Sequence, residues 1–189
     1  HGLYIGRDRR EFEKAVAQSQ EMNLIHMDEP FQKVVVYLDP REFKSTWLGN
    51  KAVYRTRMAI ADGGELIVLA PGVDKFGEDP ENDRLIRKYG YCGREKVLEL
   101  VDRPECGDLR DNLSVAAHLI HGSSDGRFHI TYCTEQLTGD EVRSVCFGYM
   151  PYAEAAKKYD PAVLTDGYHE IDGERIFYIS NPALGLWSL

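Results

Sequence analysis

The chain has 189 residues, with 31 Asp and Glu against 23 Lys and Arg, and a formal net charge of -8. A content of 43% hydrophobic, 11% aromatic and 29% charged residues is that of a globular protein able to bury a sizeable core, which excludes disordered, collagen-like and coiled-coil readings. The acidic balance excludes a general affinity for nucleic acid, which needs a basic face to replace phosphate counterions, and leaves room only for a local basic pocket.

In chain order, residues 3–5 read as a short strand. Asp8 is placed to cap a helix in which Phe12, Ala15, Val16, Ser19 and Met22 favour one face. The run 33–38 is β-branched and continuously apolar, as suits a strand covered on both faces in a parallel sheet, and it ends at Asp39-Pro40. Ser45 or Thr46 can cap the next helix, predicted to run to about Ala61 and to stop at Asp62-Gly63-Gly64. Residues 65–70 read as the following strand, broken by Pro71-Gly72.

Strand, helix, strand at this spacing is the βαβ signature and predicts an α/β fold, a layered and mostly parallel sheet with flanking helices. Further helices are predicted over 80–88, 96–101 and 112–121, a strand over 128–133, a shorter apolar run over 145–150, and a helix over 152–159 headed by Pro151. Residues 168–179 read as a C-terminal β-hairpin turning at Asp172-Gly173. No internal repeat or low-complexity linker divides the chain, so a single domain over 1–189 is expected.

The longest apolar runs, such as 33–38 and 66–71, fall far short of the ~20 residues that cross a bilayer, so no membrane partner is expected. Cys92, Cys106, Cys133 and Cys146 contain no CxxC pair and are too sparse for a disulfide scaffold, which reads as free thiols in a reducing cytoplasm. The chain opens on His1-Gly2-Leu3 with neither an initiating Met nor a signal peptide, the expectation being a fragment whose upstream partner is missing.

The most informative segment is 39–51, which joins the carboxyl end of one predicted strand to the head of the next helix, where ligands bind in open α/β sheets. Unpaired N–H groups and the dipole at the helix start, with Lys44, Asn50, Lys51, Arg55 and Arg57 nearby, describe a carboxylate site. Lys51, Arg55 and Met58 lie off the apolar stripe formed by Leu48, Ala52, Thr56 and Ala59; an ordinary solvated face is the competing reading.

A second candidate is 106–112, where Asp111 or Asn112 can cap a helix and Arg110 can hold a carboxylate in bidentate fashion or pair with a neighbouring Asp. Residues 181–187 either line a pocket through backbone contacts or pack as a tail. His118 and His121 lie three apart on one helix face, a chelating spacing, without an acidic or Cys partner nearby in sequence, and no metal site is assigned. No GxGxxG, P-loop or GxSxG motif occurs.

Taken in order, residues 2–8, the 39–50 loop, the run Lys51-Ala52-Val53-Tyr54-Arg55-Thr56-Arg57-Met58-Ala59-Ile60-Ala61-Asp62-Gly63-Gly64 and residues 65–77 resemble the carboxyl-terminal half of the nickel-dependent lactate racemase family. The match is best over 33–80, and the later segments fall in the family's order with weaker identity, so the resemblance covers nearly the whole chain.

The resemblance implies two α/β domains with the active site between them. It further implies racemisation or epimerisation at C2 of 2-hydroxy acids by hydride transfer through a nickel-pincer nucleotide. The cofactor-attaching lysine and the nickel-binding and proton-handling histidines would then lie in an amino-terminal domain outside this chain. That domain is the expected partner, and the fragment alone is expected to hold no cofactor and to be inactive.

This chain would supply the substrate-side wall. Lys51 matches a family lysine that holds the substrate, where it binds and polarises the carboxylate or hydroxyl, and Lys44 resembles a recurring loop lysine. Trp47, Asn50, Arg55 and Arg110 are the other expected substrate contacts. Trp47-Leu48-Gly49-Asn50 stands where many members carry a glutamine-rich stretch, so a glutamine contact is lost or replaced by Asn50. Arg55-Thr56-Arg57 adds charge that a lactate site does not need, which points to a larger and more polar substrate such as a sugar acid. The alternatives are a stand-alone α/β module that binds small carboxylates without chemistry, and a scaffold whose basic helix face is merely solvated.

Overall fold

The computed structural model describes residues 2–189. Residues 3–5 are not a strand: the segment 2–6 has no regular structure, and Leu3 and Ile5 are exposed. Among the described residues no strand pairs with it. Asp8 caps α1 (Arg9–Asn23), its carboxylate accepting from the Arg10 N–H. That helix buries none of its residues, and Phe12 and Met22 on its apolar stripe stand in solvent. β1 (Leu24–His26) then pairs in parallel with the C-terminal strand Leu186–Ser188 in a small sheet of two strands.

β2 (Phe31–Tyr37) carries the β-branched run. The single long helix expected after it is two short ones, α2 (Thr46–Gly49) and α3 (Lys51–Tyr54), kinked at Asn50. β3 (Ile60–Ala70) starts before Asp62-Gly63-Gly64, so those residues lie within a strand rather than ending a helix. Gly63 sits at φ 78° and gives its N–H to the Arg127 carbonyl at 2.6 Å, while the β2–β3 register shifts between Phe31 and Lys33. The glycines therefore serve a bulge at the strand's start.

The chain continues through α4 (Pro80–Tyr89), α5 (Arg94–Asp102), α6 (Gly107–Arg110), α7 (Leu113–His121), β4 (His129–Thr134), α8 (Gly139–Ser144), β5 (Gly148–Pro151), α9 (Tyr152–Lys158), β6 (Gly167–Ile171), β7 (Glu174–Ile179) and β8 (Leu186–Ser188). Asn112 caps α7 with its side-chain oxygen on the Val115 N–H. The hairpin β6–β7 turns at Asp172 (φ 52°) and Gly173 (φ 78°), the two positive φ values that a type I′ turn requires.

The main sheet has the order β5-β4-β3-β2-β7-β6, parallel throughout except for β6–β7. The expected α/β fold with a mostly parallel sheet is the observed one. Alternate residues face opposite cores. Val34, Val36, Leu66, Val68, Ile130 and Tyr132 pack against the α2–α8 side, and Val35, Ile67, Leu69 and Cys133 pack against Ala155 and Tyr159 on the α9 side. Each fully buried aliphatic side chain contributes roughly 1.5–3 kcal/mol, and burial on both faces is why β2 and β3 read as unbroken apolar runs. Among the described residues, no helix is long and apolar enough to cross a membrane.

The strand order positions the site. From β2 the chain steps to β3, β4 and β5 on one side, whereas β7 lies on the other side of β2. The carboxyl ends of β2 and β7 thus flank the topological switch point, where open α/β sheets form their ligand crevice.

Candidate carboxylate site

The loop 39–45 leaves β2 at that switch point and runs beside the loop that follows β3. The Asp74 N–H donates to the Lys44 carbonyl at 3.0 Å, and the Thr46 and Trp47 N–H groups donate to the carbonyls of Lys75 (3.1 Å) and Phe76 (2.8 Å). A Cβ on Gly72 would sit 2.6 Å from Pro40 Cα, so glycine is what lets the two loops touch. Ser45 caps α2, its hydroxyl accepting from the Leu48 N–H at 3.2 Å and donating to the Glu78 carboxylate. The first N–H groups of α2 are all taken by the protein's own oxygens. This corrects the expectation of an anion site made by the helix start; whatever binds here must be held by side chains.

The cations are arranged for that. Among the described residues, the side chains of Arg7, Lys44, Lys51, Arg55, Arg94 and Lys157 make neither an ion pair nor a hydrogen bond with the protein. Half of that set falls within residues 44–55. Elsewhere, cations are matched: Arg41 by Asp39, whose carboxyl it holds at about 2, and Arg57 by Asp125 at 2.9 Å. Lys44 is exposed, whereas Lys51 is half-buried with its ammonium 5.8 Å from the centroid of the buried Phe43 ring. Lys51 and Arg55 lie one helical turn apart, a like-charge spacing that costs stability on a helix surface. A protein of net charge -8 that leaves three cations unmatched within residues 44–55 has there a local positive field suited to a small anion.

Beneath the loop lies a buried brace that residue patterns did not reveal. Thr46 Oγ1 donates to the Phe76 carbonyl at 3.0 Å and pairs with the Tyr91 hydroxyl at 2.8 Å. Tyr91 is also paired with His118 Nε2 at 3.0 Å, and the His118 ring stacks on Trp47 with centroids 4.2 Å apart. Asn50, at the kink, is fully buried and accepts from the Tyr132 hydroxyl at 2.6 Å, while its amide nitrogen has no partner among the described residues. Asn50 and Trp47, expected as substrate contacts, are thereby engaged in holding the kink that presents Lys51. Their partners, His118 for Trp47 and Tyr132 for Asn50, sit 71 and 82 residues away in sequence, which is why spacing alone did not find them.

Burial, with a smaller push from His121, lowers the His118 pKa from 6.5 to about 4. An unfolded chain therefore takes up a proton near pH 6.5 that the native ring refuses until about pH 4. Stability should fall as pH drops through that window, by roughly 3 kcal/mol at most, and this contribution should be flat below it. Asp39 and Glu174, held at about 2 chiefly by hydrogen bonds to Arg41 and Lys158, act lower, losing their contribution as pH falls from about 4 towards 2. Urea midpoints measured from pH 7 to pH 4 should slope downward in the wild type and lose that slope in His118→Gln. Equal slopes in the two proteins would refute this assignment.

The other candidates fall apart from this site. Arg110 stands on α6, which packs against α5 and α7, and its guanidinium donates to the Arg103 carbonyl at 2.8 Å rather than joining the loop. Of the charged run 55–57, Arg57 is spent on Asp125 and the Thr56 hydroxyl donates to the Ala52 carbonyl at 2.6 Å, leaving Arg55 alone to widen the site. Residues 181–187 serve mainly as packing: Trp187 is buried and its N–H donates to the Arg55 carbonyl at 2.9 Å. Among the described residues no three His, Cys, Asp or Glu side chains stand together to hold a metal ion.

Comparison with known proteins gives no match to a protein-family model and none to a curated protein. Solved structures do match. A protein of Thermotoga maritima superposes with a TM-score of 0.67 and 24% identity, covering 95% of this chain. The lactate racemase apoprotein of Thermoanaerobacterium thermosaccharolyticum superposes with a TM-score of 0.63 and 14% identity, covering 97%. The chain has a lactate-racemase-like fold. It spans 42% of the length of each of these two structures.

Proposed function

We propose that this chain is the substrate-side domain of a racemase or epimerase acting at C2 of 2-hydroxy acids, lactate or a sugar acid. The observation that carries the reading is the group of unmatched cations, Lys44, Lys51 and Arg55, on the segment that follows β2 at the switch point. The lactate-racemase-like fold supports it. In this reading the Lys51 ammonium binds the substrate carboxylate, Lys44 reaches it from the exposed loop, and the Trp47–His118–Tyr91 brace keeps both in place. A nickel-pincer nucleotide would supply the hydride chemistry, held by a further domain that this chain does not contain.

The test is a titration of the chain with lactate and with gluconate, followed by NMR of its lysine side-chain resonances. Saturable shifts at Lys51 that a neutral alcohol of similar size fails to produce are expected. The tighter of the two acids identifies the substrate class. Absence of any saturable shift with either acid overturns the reading, including the simpler alternative of a carboxylate-binding module without chemistry.

A further inference from the structure

At the amino-terminal ends of β4 and β5 lies an open groove of about 840 Å³. Two of the four thiols, Cys92 and Cys146, line it, whereas Cys106 and Cys133 are buried elsewhere. The residues that precede the two cysteines are tied together, the Tyr91 N–H donating to the Val145 carbonyl at 3.0 Å. Cys146 Sγ lies 3.1 Å from where a Cβ would stand on Gly90, two residues before Cys92. Burial raises the pKa of both thiols, and Cys146 adds to the effect at Cys92.

The backbone at this spot is unusual. Cys146 has φ 71°, a left-handed conformation that costs a residue with a Cβ and persists only where something in the structure holds it. Cys92 sits in the strap between α4 and α5 with Gly90 (φ 65°) and Gly93 (φ 93°) on either side, two positions where a left-handed backbone calls for glycine.

We propose that Cys92 and Cys146 are a reversible dithiol–disulfide pair that closes across this groove, oxidised by a small-molecule disulfide such as oxidised glutathione. One protein thiolate attacks a sulfur of the small disulfide, which releases one reduced thiol and leaves a mixed disulfide. The second protein thiolate then displaces the remaining small thiol, forming the Cys92–Cys146 bond. The two protons lost by the protein end on the two released thiols. The inference is independent of the racemase reading. It also gives the strap a route to the distant loop, because Tyr91, next to Cys92, holds Thr46 and His118.

Equilibrating the chain in a series of glutathione redox buffers, quenching by alkylation and digesting it for mass analysis tests this. The expected product is a peptide pair joined through Cys92 and Cys146, lighter by two hydrogens, released by dithiothreitol and absent from Cys92→Ser and Cys146→Ser. A stable glutathione adduct on Cys146 with no cross-link, a bond that recruits Cys106 or Cys133, or four alkylated thiols at every buffer ratio would each overturn it.

Discussion

Replacing Lys51 by alanine is expected to weaken carboxylate binding by roughly 10- to 100-fold, which is what losing one charge-assisted hydrogen bond of about 1.5–3 kcal/mol amounts to. Among the described residues the ammonium makes neither an ion pair nor a hydrogen bond, and it stands 5.8 Å from the centroid of the Phe43 ring, so the variant should melt within a degree or two of the wild type. Binding and stability are therefore separable at this position. Lys51→Arg keeps the charge on a longer planar group and should recover only part of the affinity. Lys44→Ala, at an exposed position, should cost less and should show a stronger dependence on salt. In the proposed two-domain enzyme, turnover should fall by at least as much as affinity if Lys51 also polarises the substrate. Titration calorimetry with lactate and gluconate, beside a thermal melt, decides the matter. Unchanged affinity in Lys51→Ala would remove the lysine from the site.

The largest stability effect is expected at Tyr132, which is fully buried in β4, stacks on Phe147 with centroids 4.9 Å apart and donates to Asn50. Tyr132→Ala should cost about 3–5 kcal/mol, as emptying an aromatic site in a packed core does. Tyr132→Phe keeps the ring and removes only the hydroxyl. Because Asn50 is buried and its amide nitrogen is already without a partner, losing the bond at its oxygen should cost about 1–3 kcal/mol. For a domain of this size each kcal/mol is about 2–4 °C in Tm. Asn50→Leu combined with Tyr132→Phe should recover part of that loss, since both ends of the broken bond become apolar. Guanidinium unfolding of the single and double variants measures it; a Tyr132→Phe variant as stable as the wild type would show that the bond carries no net stability.

Much of the fold was legible because its signals are local. β2 and β3 announce themselves as β-branched runs buried on both faces, Asp8 and Asn112 cap helices by short-range hydrogen bonds, and Asp172-Gly173 dictates its own turn. Where reading failed, a distant partner decided the outcome. Helical spacing over 46–61 was overridden when β3 pairing captured Ile60 and Asp62-Gly63-Gly64, and the chain kinked where Asn50 found Tyr132. α8 went unread although Thr138 and Glu141 form a reciprocal cap, because its six residues are too few to show a period. At the candidate site, the position of the lysines after β2 was legible, whereas the spent N–H groups of α2 depend on carbonyls some thirty residues downstream. Arg110 is set apart for a more local reason: its guanidinium donates to the Arg103 carbonyl seven residues back.

α1 projects from the domain without burying a residue, and that sets the order in which the molecule comes apart. Opening its hydrogen bonds exposes little packed apolar surface, since Ala15 and Val16 are only partly covered, so its own helix–coil equilibrium is the main resistance, and an isolated helix of this length is marginal in water. Its amides should exchange with solvent many orders of magnitude faster than those of β2 and β3, whose release requires global unfolding. The chain therefore has two tiers of cooperativity, in which the first twenty-odd residues can melt and reform while the sheet that carries the lysine loop does not register the event.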